Sequence, residues 1–289
     1  MTKELFSELF PPLPSFKAHL YKRARNAALS AAIMFKKPKI GDTFLRGLYS
    51  HFVFDDQRST FEEQMKALKS IGEFVSTDDF MSMVTGSVPV DGRYFHLSFD
   101  DGLGCLGRNA APILNNFSIP AIVFVNSAVV APNDPSIKLA WDKLTKYLKP
   151  VQVMSWDELK NSGFDVGGHT CHHSRLIDIS SDKNALKAEI SEDKLAIEKG
   201  MGRSCNWFAW PYGSLSAVDQ SGIKAIQDAG YKGAFGVYRA PISPGETFPF
   251  AVPRHHFEPH WPMRHLKFFA LGGLERNQSS VVKKIVPKN

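Results

Sequence analysis

Two adjacent carboxylates close the segment 94–104, which reads Tyr-Phe-His-Leu-Ser-Phe-Asp-Asp-Gly-Leu-Gly. The run 94–99 predicts a strand, and consecutive side chains of a strand-derived segment point in different directions. Asp100 and Asp101 can therefore take different jobs, one binding a divalent metal while the other accepts a proton from an attacking water. Asp-Asp-Gly after a strand is also ordinary turn chemistry. The reading moves towards a metal because of a second stretch, Gly167-Gly168-His169-Thr170-Cys171-His172-His173. Its spacing predicts His169 and His173 on one face of a helical turn, and with Asp101 they make a His-His-Asp set. Three protein ligands leave a position open, as catalytic zinc sites require. A His-rich loop taken alone could equally be a surface cluster.

The rest of the chain has to bring these stretches together. Strands are expected at 44–54, 94–99, 121–126, 164–166, 206–210 and 231–235, with an extended run at 248–253. Helices are expected between them. One is opened by a Ser59-Thr60-Phe61-Glu62 capping box, another by Ser155-Trp156-Asp157-Glu158, and the longest, 181–201, carries Leu186, Ile190 and Ile197 as its core stripe. Residues 132–150 are less regular and are expected to form an excursion. Strand-helix alternation predicts a parallel sheet with helices outside it, here a distorted (β/α) barrel of about seven parallel strands with an added N-terminal helix. His51, Asp100, Asp101, His169, the Pro211-Tyr212-Gly213 turn, Arg254 and His255 all fall at or just after predicted strand ends. A barrel gathers those ends at one mouth. An open doubly wound sheet would spread them along an edge.

Composition limits the classes further. The 289 residues are 43% hydrophobic and 22% charged, which is globular. The net charge of +6 is concentrated in an arm with no acid between Leu9 and Gly41 and seven basic residues, so no nucleic-acid groove is inferred from the nearly neutral remainder. Two regions follow: a basic helical extension, 1–43, and a catalytic barrel domain, 44–289. The helix expected at 16–35 could rest peripherally on an anionic membrane or pack on the body. Residues 1–12 carry no motif, so their removal is expected to be tolerated. Cys105, Cys171 and Cys205 have no paired spacing, which fits a reducing, cytoplasmic setting.

From about Leu48 to Arg254 the pattern resembles the polysaccharide deacetylase family, the NodB-homology carbohydrate esterases. Ser-Phe-Asp-Asp-Gly is similar to its first motif, His169-Thr170-Cys171-His172-His173 to its H-[ST]-x-x-H motif, and Phe208-Ala209-Trp210-Pro211-Tyr212-Gly213 to its third. The resemblance implies a general base at Asp100, a zinc (or cobalt or nickel) ion on Asp101, His169 and His173, and an oxyanion donor in the backbone N–H of Tyr212.

Two departures stand out. Ala209 occupies the place of an arginine that orients the base in many members, and Arg254 could substitute for it. The late Leu-x-His motif that supplies the general acid has no counterpart. His51 is the leading replacement, with His255, His256 and His260 competing. Trp210, Pro211, Tyr212 and His255 are expected to contact substrate, Trp207 and Trp261 could also stack on sugar, and Cys171 is expected to pack. The activity implied is removal of an N-acetyl group from an amino sugar of a bacterial surface polysaccharide, glycolipid or precursor. The rivals are a cyclic amide hydrolase of the same fold, an inactive glycan-binding barrel, and a metal-dependent nuclease or phosphoesterase.

Overall fold

The computed structural model describes residues 4–10, six positions between 20 and 33, and 41–287 apart from 131, 133 and 146. Most of the basic helix expected at 16–35 lies outside the described residues. The described residues form eight strands: β1 Phe44–Ser50, β2 Glu73–Phe74, β3 Arg93–Asp100, β4 Ala121–Val125, β5 Asp165–Gly168, β6 Trp207–Ala209, β7 Gly233–Val237 and β8 Val252–His256.

All pairings among these strands are parallel, and seven of the strands close a barrel in the order β1-β3-β4-β5-β6-β7-β8. The two-residue β2 stays outside it: the edge of β3 that pairs with β4 at Leu97–Asp100 pairs with β2 at Tyr94 and Phe95. The β1/β8 seam needs a residue without a side chain, because a Cβ on Gly47 would stand 2.8 Å from the carbonyl oxygen of Pro253.

Alternation along β3 divides its residues between two surroundings. Phe95, Leu97 and Phe99 join the outer core with Phe61, Met65 and Leu68 of the helix Arg58–Lys69. His96, Ser98 and Asp100 face the barrel axis, where Ile122, Phe124, Trp207 and Phe235 pack. The helix Thr77–Val84, capped by Ser76 Oγ accepting the Asp79 N–H, inserts Phe80, Met81 and Val84 into this inner cluster and plugs the N-terminal end of the barrel. That leaves the C-terminal end free for a site.

The two predicted capping boxes fare differently. Ser155 and Glu158 cap the helix Trp156–Ser162 reciprocally. The helix after β1 instead begins at Arg58 behind a 3₁₀ turn, Asp55–Gln57, in which Gln57 Oε1 accepts the Phe54 N–H.

His96 stacks on Phe80 and Phe235 and shares a 3.1 Å hydrogen bond with Thr77 Oγ1. Burial pushes its pKa down to about 3, as it does that of His255. In the unfolded chain both return to about 6.5. Between those limits the unfolded state binds more protons than the native one, so the stability these residues contribute is complete above pH ~6.5 and is lost as pH falls towards ~3. His96→Phe is expected to shrink the drop in melting temperature between pH 7.5 and pH 4.5, measured by calorimetry.

Candidate active site

The last residue of β3, Asp100, faces the barrel axis and meets Arg254 from the middle of β8. Arg254 Nη1 donates to Asp100 Oδ1 at 2.7 Å and Nη2 donates to Oδ2 at 3.0 Å, a bidentate pair. The guanidinium is 0% exposed. It also donates to Ser98 Oγ and to the Gly236 carbonyl, and lies over the rings of Tyr49 and Phe124. Burial pushes the Asp100 carboxyl up, but Arg254 outweighs it and holds the group below the usual carboxylate range. Arg254 thus fixes the orientation of the Asp100 carboxylate.

Asp101 is turned out of the strand by a left-handed backbone, φ +70°. Its Oδ1 is buried and has no hydrogen-bond partner among the described residues, yet stands 3.5 Å from His173 Nε2 and 3.7 Å from His169 Nε2. Burial raises its pKa to about 6.

Both histidines come from the loop after β5. This is not the helical turn expected from their spacing: Thr170 and His173 both have positive φ, 63° and 61°, and helix resumes only at Leu176. Two reversals in the left-handed region bring the rings 5.1 Å apart. His169 Nδ1–H donates to the Ala209 carbonyl at 2.6 Å, which leaves the Nε2 lone pair aimed at Asp101. Burial lowers His169 to about 3 and His173 to about 4, so both are neutral donors at physiological pH.

Asp101, His169 and His173 each offer a ligand atom, all within 4.8 Å of one another. A neutral His pair beside an unpartnered carboxylate oxygen fits a divalent cation. Cys171 is not part of the set. Its Sγ faces the Ala188 carbonyl and the Ser127 hydroxyl, and it packs as expected.

Asp193, on the helix Lys183–Met201, was hidden from sequence reasoning. It is 0% exposed, and its two oxygens accept the N–H groups of Ser127 (3.0 Å) and His169 (3.1 Å), fastening the ends of β4 and β5. Burial pushes its pKa up to about 7. The available signal was a charge on the stripe Leu186, Ile190, Asp193, Ile197, where an apolar residue is the norm. The space for this carboxylate exists because Gly168 has no side chain: a Cβ there would be 2.8 Å from Asp193 Oδ2 and 2.3 Å from Tyr231 Oη.

These groups open into a cleft of about 380 Å³ whose lining includes His51, Tyr212, Tyr147, Phe10, His256 and Glu258. His51, half-buried, follows β1; burial lowers its pKa, while Asp101 and Asp100 pull the other way. Tyr212 has φ +64°, is 51% exposed, and its backbone N–H meets no acceptor among the described residues. His256 lies 3.3 Å from Glu258, which also approaches His260 at 3.1 Å.

Three expected substrate contacts are corrected. His255 neighbours Arg254 in β8, so alternation turns it away from the axis; it is 1% exposed, with Nε2 3.2 Å from Glu275. Trp210 is 0% exposed, donates to the Ser214 carbonyl, and packs over Gly236. Pro211 is buried in the turn and does not line the cleft. Of the other tryptophans, Trp207 belongs to the inner barrel cluster and Trp261 packs on His256 and Phe269. Residues 4–10, expected to be dispensable, dock beside the mouth, with Leu9 buried and Phe10 on the cleft.

Solved structures share this architecture. IcaB from Ammonifex degensii superposes with a TM-score of 0.61 at 21% identity, covering 81% of this chain and 98% of that one. The Streptococcus pyogenes deacetylase PplD, solved in complex with acetate, gives 0.63 at 15% identity over 79% and 98%. A de-N-acetylase from Aggregatibacter actinomycetemcomitans gives 0.59 at 16% over 79% and 100%. No curated protein matches the sequence significantly. The family description "polysaccharide deacetylase" matches residues 87–234, just over half of the chain and inclusive of Asp100, Asp101, His169, His173 and Tyr212. The chain belongs to the polysaccharide deacetylase family, whose members are metal-dependent hydrolases.

Proposed function

We propose that the protein removes the acetyl group from an N-acetylated amino sugar of a bacterial surface polysaccharide, glycolipid or precursor, using one divalent metal, zinc ahead of cobalt or nickel. The observation that carries this reading is Asp100, held from behind by Arg254, lining one cleft with the Asp101–His169–His173 set. The structural relatives named as de-N-acetylase and as an acetate complex support the same reaction.

A cation on Asp101, His169 and His173 supplies Lewis acidity for the acetamide carbonyl and the attacking water. Asp100, ionised and oriented by Arg254, takes the proton as the water oxygen bonds to the carbonyl carbon. The Tyr212 N–H donates to the oxyanion that forms. His51 then gives a proton to the sugar nitrogen as the C–N bond breaks, releasing acetate and a free amine. His169 and His173 are not available for this role because their Nε2 lone pairs would be engaged by the cation. His256 is the second choice of acid, since it lines the cleft and His255 does not.

His51→Ala is expected to keep metal and fold, to depress turnover of N-acetyl substrates by roughly 10²- to 10⁴-fold, and to affect an acetyl ester with a good leaving group much less. Equal losses on both substrates would shift the acid role to His256. Acetate release from N-acetylglucosamine oligomers, without opening of cyclic amides, separates this function from the cyclic amide hydrolase reading.

A further inference from the structure

Phe10 is half-buried, lies next to fully buried Leu9, and joins the cleft that holds the metal set. Its ring meets Tyr147 edge-on, with centroids 5.4 Å apart at 84°, and packs 5.2 Å from Phe52. Tyr147 and Leu144 come from the excursion after β4 and line the same cleft. Two distant parts of the chain therefore build one apolar aromatic wall beside a polar floor.

The segment 4–10 is clasped rather than loosely laid. The Glu4 N–H donates to Asp55 Oδ2 at 2.7 Å while the Asp55 N–H donates to the Glu4 carbonyl at 3.0 Å. The Glu4 carboxylate pairs with Arg108 and accepts the Gln152 N–H. The Phe6 N–H donates to Asp56, and the Leu148 N–H donates to the Leu9 carbonyl at 2.9 Å. Leu9 thus ties the excursion at Leu148, and Glu4 ties the chain just after it at Gln152. A pyranose ring has an apolar C–H face, and a rigid aromatic ring beside the reacting group is the usual complement to such a face.

Resting on the deacetylase reading above, we propose that Phe10, backed by Tyr147, is a specificity-determining residue against which the amino-sugar ring lies. The segment 4–10 is then part of the substrate site and not an appendage. The bond-making machinery is elsewhere in the cleft, so the wall acts on sugar binding more than on the chemical step.

The test uses the zinc-loaded full chain and N-acetylglucosamine oligomers, with KM, kcat, metal content and melting temperature measured together. Phe10→Ala is expected to raise KM roughly tenfold and to change kcat less than about threefold, with metal content unchanged. Phe10→Tyr, which keeps the ring, is expected to hold KM near the wild-type value. A wild-type KM in Phe10→Ala overturns the proposal, and so does a KM in Phe10→Tyr as high as in Phe10→Ala. If Phe10→Ala does not fold, Phe10→Leu fills most of the volume without the aromatic face; its raised KM supports the proposal and a wild-type KM overturns it. A wild-type protein that releases no acetate from any N-acetylated glycan refutes the deacetylase reading itself. Wild-type turnover with unchanged KM in the variants sinks only the aromatic wall.

Discussion

Asp100→Asn should retain its metal and lose most of its turnover, by roughly 10²- to 10⁴-fold, or about 3–5 kcal/mol of barrier. The amide keeps the size of the carboxylate and can still accept one hydrogen bond from Arg254, but it cannot take the proton of the attacking water. A separate cost falls on the fold. Arg254 is 0% exposed, and its charge is matched by Asp100 in a bidentate pair. Removing one partner of a buried pair commonly costs about 3–5 kcal/mol, so a lower melting temperature should accompany the loss of turnover. Activity must therefore be compared at a temperature where the variant is folded. Metal analysis identifies the role: loss of metal in Asp100→Asn with metal retained in Asp101→Asn would reverse the two assignments.

His173→Ala should show the other phenotype, with bound metal falling sharply and turnover falling with it. The His173 imidazole is the more accessible of the two, and its ring also lies 5.1 Å from that of Tyr212, so it links the candidate ligand set to the Tyr212 turn. Its removal leaves Asp101 and His169 as a two-ligand remnant. The Asp101 Oδ1 has no hydrogen-bond partner among the described residues, and with one imidazole gone a cation there has one protein donor fewer. Inductively coupled plasma analysis of purified protein reads the outcome directly. Wild-type metal and activity in His173→Ala would contradict the ligand assignment.

Much of this was legible in the sequence because it rests on local rules. Asp-Asp-Gly after an apolar run marked the end of β3, and the rhythm of strands and helices gave a parallel barrel whose strand ends converge. Where the reading slipped, the cause lay in features that composition and spacing do not encode. The four-residue interval from His169 to His173 looks helical, but positive φ at Thr170 and His173 lets an irregular loop bring the same two rings together. Alternation, which separated Asp100 from Asp101, applies equally to Arg254 and His255; both could be assigned to the mouth only while β8 was thought to end before them. Trp210 looked like a sugar platform but packs over Gly236, and the closeness of these two residues arises from the β6/β7 pairing. Phe10 and Tyr147 left no signal, because their meeting depends on backbone hydrogen bonds between segments more than a hundred residues apart.

One divalent cation on Asp101, His169 and His173 is expected to enable hydrolysis of an N-acetyl group. Stripping the protein of metal and titrating zinc back while following acetate release from N-acetylglucosamine oligomers tests it most directly. Acetate release should start near zero, rise in proportion to bound zinc, and stop rising at one equivalent per chain. Full activity in the stripped protein, or a saturated site that releases no acetate from any N-acetylated glycan offered, would contradict it.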